Sequence, residues 1–175
     1  MTDYPADLCC ERTLRDGRRV VIRPIRAEDE PAEKRFFAAL SSEAKRLRFM
    51  KFVREVAPRT IHSFTHVDYD RTMAFVCESA AGGAPGIVGE ARYAALPGGK
   101  ACEFGIVIAD AWHKSGIAGL LMAELIRAAR DKGYETMESI VLRENRDERR
   151  FARALGFEET RPADDPATVR VVKRL

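Results

Sequence analysis

The sequence predicts a single α/β domain of the α+β type, with a mixed, mostly antiparallel twisted sheet flanked by helices. Three observations predict it. The chain has 175 residues, 46% hydrophobic and 33% charged, which is the size and balance of one globular domain that buries a full core without staples. Residues 73–109 read as three strands separated by turns rich in glycine and proline, which is a meander. The C-terminal third then alternates strand, helix and strand, and such a crossover places two strands parallel.

Taken in order, residues 1–18 read as a leader and 19–175 as the domain. Arg19–Ile25 (RVVIRPI) is a strand stopped near Pro24, after a turn at Asp16-Gly17. A helix follows, with Glu28, Asp29 and Glu30 in its first turn, where acids suit the positive end of the helix dipole, and Phe36, Phe37 and Leu40 on its apolar face. Ser41-Ser42-Glu43 opens a short basic helix to about Phe52, and 58–67 is another helix. The meander runs through strands 73–79, 87–96 and 101–109, turning at 82–86 and at Pro97-Gly98-Gly99. An apolar helix from about Gly116 to Lys132 stops at Gly133, where a C-terminal cap belongs. Strand 136–142, helix 145–155 ended by Gly156 and strand 168–173 complete the chain.

Composition excludes several functions. Thirty Lys and Arg against 27 Asp and Glu leave a charge of +3, too mild and too evenly spread for nucleic-acid binding. No apolar run reaches the ~18–20 residues of a membrane span, and the acidic first residues are not a signal-peptide head. Cys9, Cys10, Cys77 and Cys102 form no CxxC pair and have no histidine at ligand spacing, which argues against zinc and, in a reducing cytoplasm, against disulfides.

The most informative stretch is FGIVIADAWHKSGIAGLL, residues 104–121. An apolar strand ends at Asp110, and a helix opens on Ser115-Gly116-Ile117-Ala118-Gly119. The first amides of a helix lack internal partners, and small residues let an anion approach them, so this turn is a candidate phosphate cradle. Glycines that merely ease helix–sheet packing are the competing reading. A Walker loop is excluded because Lys114-Ser115 precedes the glycine, and the dinucleotide fingerprint GxGxxG is absent.

The spacing of His113, Gly116 and Ala118 resembles the pyrophosphate loop Q/R-x-x-G-x-G/A of the GCN5-related N-acetyltransferases, the GNAT family, with His113 standing where Gln or Arg is usual. The likeness extends over about residues 19–160. Arg23-Pro24-Ile25-Arg26, Leu47-Arg48-Phe49, Asp68-Tyr69-Asp70-Arg71, Ala101-Cys102-Glu103-Phe104 and Glu144-Asn145-Arg146 are similar to the bacterial protein lysine acetyltransferases of that family. The resemblance implies the GNAT fold and acetyl-CoA as cosubstrate. Backbone amides of Lys114, Ser115, Gly116, Ile117, Ala118, Gly119 and Leu120 would hold the pyrophosphate. Main-chain groups of Ile106, Val107 and Ile108 would pair with the pantetheine arm, which Asn145 would contact. Asn145 also suits a simple helix N-cap. The acceptor implied is a protein lysine, for instance on an acyl-CoA synthetase, reached by direct attack in a ternary complex. A small-molecule amine and a catalytically weak acyl-CoA-binding regulator are the alternatives. The placement that follows is cytoplasmic, as monomer or homodimer, without metal, nucleic acid or membrane.

Acetyl transfer needs a neutral amine, and a free lysine is protonated at pH 7 (pKa ~10.4). Glu103 is the candidate base: mid-strand, it shares a face with Gly105 and Val107, apolar company that would raise its pKa. A solvated Glu103 is the alternative. Glu90, a lone acid in its strand, is either substrate-facing or on the surface, and Asp68 and Tyr69 could line the acceptor side. His62 and His66, at i and i+4, suit a partly exposed helix. Many relatives carry a tyrosine seven residues after the helix-opening Asn to protonate the leaving thiolate; here that position is Ala152. A basic stripe of Lys45, Arg46, Arg48, Lys51 and Arg54 is either solvated, a docking face, or a reach toward the 3′-phosphate of coenzyme A.

Overall fold

A computed structural model describes residues 3–79, 86–160 and 165–175. Among the described residues, eight strands form one sheet in the order β1-β2-β3-β4-β5-β6-β8-β7. The strands are β1 (Cys10–Thr13), β2 (Arg19–Pro24), β3 (Thr72–Ser79), β4 (Gly86–Ala95), β5 (Ala101–Ile108), β6 (Thr136–Leu142), β7 (Glu158–Thr160) and β8 (Thr168–Arg174). The helices are α1 (Glu30–Ala39), α2 (Ser42–Phe49), α3 (Pro58–Thr65), α4 (Ile117–Asp131) and α5 (Arg146–Ala154). The expected strands and helices therefore form. Two short edge strands are additional, β1 within the segment expected to be a leader, and β7. The turn expected at 82–86 lies, apart from Gly86, outside the described residues.

Among the described residues, all pairings are antiparallel except β5 with β6. Alternation along the strands sends side chains to two cores. The larger one packs Ile117, Leu121, Met122 and Leu125 of α4 against Phe75, Ala91, Tyr93 and Phe104 of the sheet. The smaller one packs Phe36 and Phe37 of α1 and Ile61 of α3 against Ala74, Val76 and Val107. Helices thus cover both faces of the meander, as a sheet with two apolar faces requires.

Local chemistry sets the helix ends. Acids precede α1 as expected, but the chain first makes a single 3₁₀ turn, Ala27–Asp29, so α1 starts at Glu30 with Pro31 in its first turn. Ser41 caps α2, its Oγ accepting the Ala44 amide at 3.1 Å. Among the described residues no helix is long and apolar enough to cross a membrane.

Candidate active site

The one parallel pairing is short. β5 and β6 pair only at Ala101–Thr136, Cys102–Met137 and Glu103–Glu138, whereas β4 pairs with β5 from Cys102 through Ile108. Beyond Glu103 the sheet splits. The ladder is anchored by Leu96 N–H on the Ala101 carbonyl and Ala109 N–H on the Val88 carbonyl, at 2.8 and 2.9 Å. In an antiparallel pair these bonds alternate, so the odd residues of β5 turn their main-chain groups to β4 and the even ones turn theirs to the split. Ile106 and Ile108 therefore face the opening. Val107, expected to do the same, faces β4 instead, and its side chain lies in the smaller core.

A groove of about 680 Å³ occupies the split, walled by Ala44, Leu47 and Arg48 of α2, by Ile106–Ile108, by the turn from Trp112 to Gly119, and by Asn145, Glu148 and Phe151 at the start of α5. The turn is built for close approach. Lys114 and Gly116 both adopt left-handed backbone, at φ 61° and 94°, and left- and right-handed residues in succession point consecutive amides into one concavity. Three of the amides expected to cradle a phosphate are taken within the chain, Ser115 by the Trp112 carbonyl at 3.3 Å, Leu120 by the Gly116 carbonyl at 3.3 Å and Ile117 by Ser115 Oγ at 3.5 Å, whereas Gly116 and Gly119 have open space where a Cβ would project. The His113 ring sits against the Ile108 carbonyl, Nε2 to O 3.2 Å. Asn145 caps α5, accepting the Glu148 amide at 3.2 Å, and its side-chain amide donates to the Glu148 carboxylate at 2.6 Å. It thus both caps and lines the groove.

Glu103 is exposed. The apolar company expected for it is missing, because its neighbour on that face is Gly105 and Val107 lies a further two residues along. Over Gly105 lies Arg48: a Cβ at residue 105 would fall 2.9 Å from its guanidinium carbon. The basic stripe accordingly disperses. Arg48 turns inward, Lys45 is buried with its ammonium donating to the Ala38 carbonyl at 3.3 Å, and Arg46 pairs with Glu43 and Glu144.

Glu90 is neither on the surface nor facing the groove. It is buried on the covered face of β4, paired with Arg92, beside the equally buried Glu33 of α1. Burial drives Glu33 well above the usual carboxylate range and the Glu90 charge adds to it. Burial opposes ionisation of Glu90 as well, but Arg92 outweighs it and holds Glu90 low. The pair therefore keeps its proton on Glu33.

The loop residues expected on the acceptor side have other duties. Asp68 Oδ1 accepts the amides of Asp70, Arg71 and Thr72. Tyr69 donates its hydroxyl to the Ile25 carbonyl at 2.8 Å. His62 and His66 stack at 3.7 Å beside Glu30 on the α1–α3 surface. The residue missed by sequence reasoning is Glu148. Burial lifts its carboxyl to about 7, against an opposing pull from Arg48. The available signal was the spacing Asn145-x-x-Glu148, a helix-capping pattern.

Comparison with known proteins follows the same outline. A family model described as the GNAT acetyltransferase domain matches residues 19–158. The chain belongs to the GNAT acetyltransferase family. A curated relative, acetyltransferase PA5475 of Pseudomonas aeruginosa, is 37% identical over 163 residues, covering 93% of this chain and 87% of that protein. The GNAT domain of PAT from S. lividans superposes with a TM-score of 0.89 at 24% identity, covering 99% of this chain and all of that one. A cAMP-binding acyltransferase from Mycobacterium smegmatis gives 0.64 at 22% identity, with 97% of this chain spanning 48% of that protein. The GNAT chain described here is thus an acetyltransferase with the fold its sequence implied.

Proposed function

We propose that this GNAT enzyme transfers the acetyl group of acetyl-CoA to a protein lysine side chain, by direct attack within a ternary complex. One observation carries the reading: the split between β5 and β6 opens onto the amide-lined turn before α4, so an extended arm and its diphosphate find complementary surfaces in one groove. The residues fit coenzyme A on a second count. Arg48 lines the groove with its Nε–H buried and, among the described residues, without an acceptor, a donor suited to a carbonyl-bearing ligand.

When bound, acetyl-CoA supplies an activated acyl group. The chain's own residues do the rest. Ile106 offers its main-chain groups and Ile108 its amide to the pantetheine, Lys114, Gly116, Ala118 and Gly119 offer amides to the pyrophosphate, and Asn145 contacts the arm. Glu103, the last residue of β5 paired with β6, takes the proton of the incoming amine through water. Its exposure leaves room for a bulky acceptor. Met50 and Phe52, 44% and 86% exposed, are the large hydrophobics on the surface among the described residues, and both follow α2 directly. An apolar pair there favours a protein surface over a small amine. The burial of Glu90 takes away the acid that would have suited a small cationic substrate.

Purified protein, labelled acetyl-CoA and candidate acceptor proteins test the proposal, with a panel of small amines as the comparison. Glu103→Gln is expected to lower kcat about 100-fold while leaving coenzyme A affinity unchanged. Transfer at the wild-type rate by this variant would remove Glu103 from the mechanism, and acetylation of amines alone would replace the acceptor.

A further inference from the structure

Resting on the proposed acetyl transfer, we infer that Glu148 is the proton donor to the departing thiolate. The groove-lining groups that can exchange a proton are His113, Lys114, Asp147 and Glu148. The first three are exposed, and His113 is engaged with the Ile108 carbonyl. Glu148 alone is partly buried, on the inward side of the first turn of α5, its Oε2 held at 2.6 Å by the Asn145 amide. Ala152, one turn further along, is buried and offers no polar group.

The surroundings keep this carboxyl protonated for part of the time at neutral pH. It titrates at about 7 because burial penalises the charge more than Arg48 relieves it. Arg48 from α2 is the charged group that acts on it, and the other titratable or charged groups lining the same groove are His113 and Lys114 from the turn before α4 and Asp147 and Arg150 on its own helix. A ligand filling the groove removes more water and favours the acid form further. A free thiol has a pKa of about 8.5, so a carboxyl titrating near neutrality gives its proton to a thiolate downhill.

The step balances. The acceptor nitrogen forms its bond to the acyl carbon, the C–S bond breaks, and sulfur keeps that electron pair and takes the Glu148 proton. The new carboxylate faces the Arg48 guanidinium and the Asn145 amide. The nitrogen loses one proton on the Glu103 side, and solvent returns one to Glu148, so transfer from a neutral amine is proton-neutral overall.

The test pairs a direct titration with kinetics on Glu148→Gln, which keeps an acceptor for the Asn145 amide and should melt with the wild type. In infrared difference spectra of wild type against the variant, both with coenzyme A bound, the Glu148 carboxyl should titrate at or above pH 7. Wild-type kcat should fall as pH rises through that range. In the variant this limb should vanish, with kcat about 10–100-fold lower and KM for acetyl-CoA nearly unchanged; Glu148→Asp should restore part of the limb. A carboxyl fully ionised below pH 6, or a variant keeping both rate and limb, overturns the inference while leaving the acetyltransferase reading intact. Failure of the wild type to bind coenzyme A in calorimetry, or to acetylate any amine or protein, overturns both.

Discussion

At Gly105 a hydrogen is the largest substituent that the Arg48 guanidinium admits. An alanine there places its Cβ 2.9 Å from the guanidinium carbon, but the clash is with the far end of a flexible side chain. Gly105→Ala is therefore expected to fold, at a cost of about 1 kcal/mol, the low end of the overpacking range. Displaced from Glu148, Arg48 would also hold that carboxyl down less, and the Glu148 titration should move upward. Thermal melts and the infrared titration check the two halves. Residues differ in how far sequence could assign them. Strand alternation alone put Glu103 on the face of Gly105, and that held, because pleating is local. The exposure of Glu103 and the burial of Glu90 depend on how α1, α2 and α3 cover the sheet, which no local pattern encodes. Glu148 gains its character from burial in the groove that α2, the turn before α4 and α5 wall together, segments far apart in the chain.

Elements were legible where their periods were long or their punctuation strong. The hairpin of β4 and β5 and the long helix α4 follow from alternating apolar residues and from glycine at their ends. β1 and β7, of four and three residues, are too short to show a period, and exist because a neighbouring strand offers them an edge. The turn into α4 carries its own prediction. Gly116 sits at φ 94° with open space around it, so an alanine meets no neighbour but must adopt left-handed backbone, costing about 1–2 kcal/mol. Gly116→Ala should lower stability by that amount and weaken coenzyme A binding severalfold by calorimetry. Unchanged binding would mean that the diphosphate does not rest on this turn.

Across the whole molecule, buried charge couples stability to pH. Burial raises the Glu33 carboxyl above its unfolded value, with the charge of Glu90 second. A raised carboxyl contributes stability below its unfolded pKa of about 4.3, and that contribution is lost as pH rises through the folded value. Glu33→Gln removes the loss. Denaturant unfolding should find the variant more stable than the parent at pH 8 and the difference shrinking toward pH 4. Asp29 works in the opposite sense: burial resists its charge, but hydrogen bonds from Arg23 and the Arg26 amide hold it below the usual range. Its contribution is present above the unfolded pKa and is lost in acid.

Three residue pairs between β5 and β6 are all that join the five-stranded and three-stranded halves of the sheet through the ladder. The seam is a short one. Past it, the amides of Ile106 and Ile108 have no strand on one side, so without ligand they should trade hydrogen for deuterium faster than those of Gly105 and Val107. Coenzyme A laid into the opening would act as the missing strand, slowing both, with a gain of about 2.7 kcal/mol at a hundredfold excess over Kd.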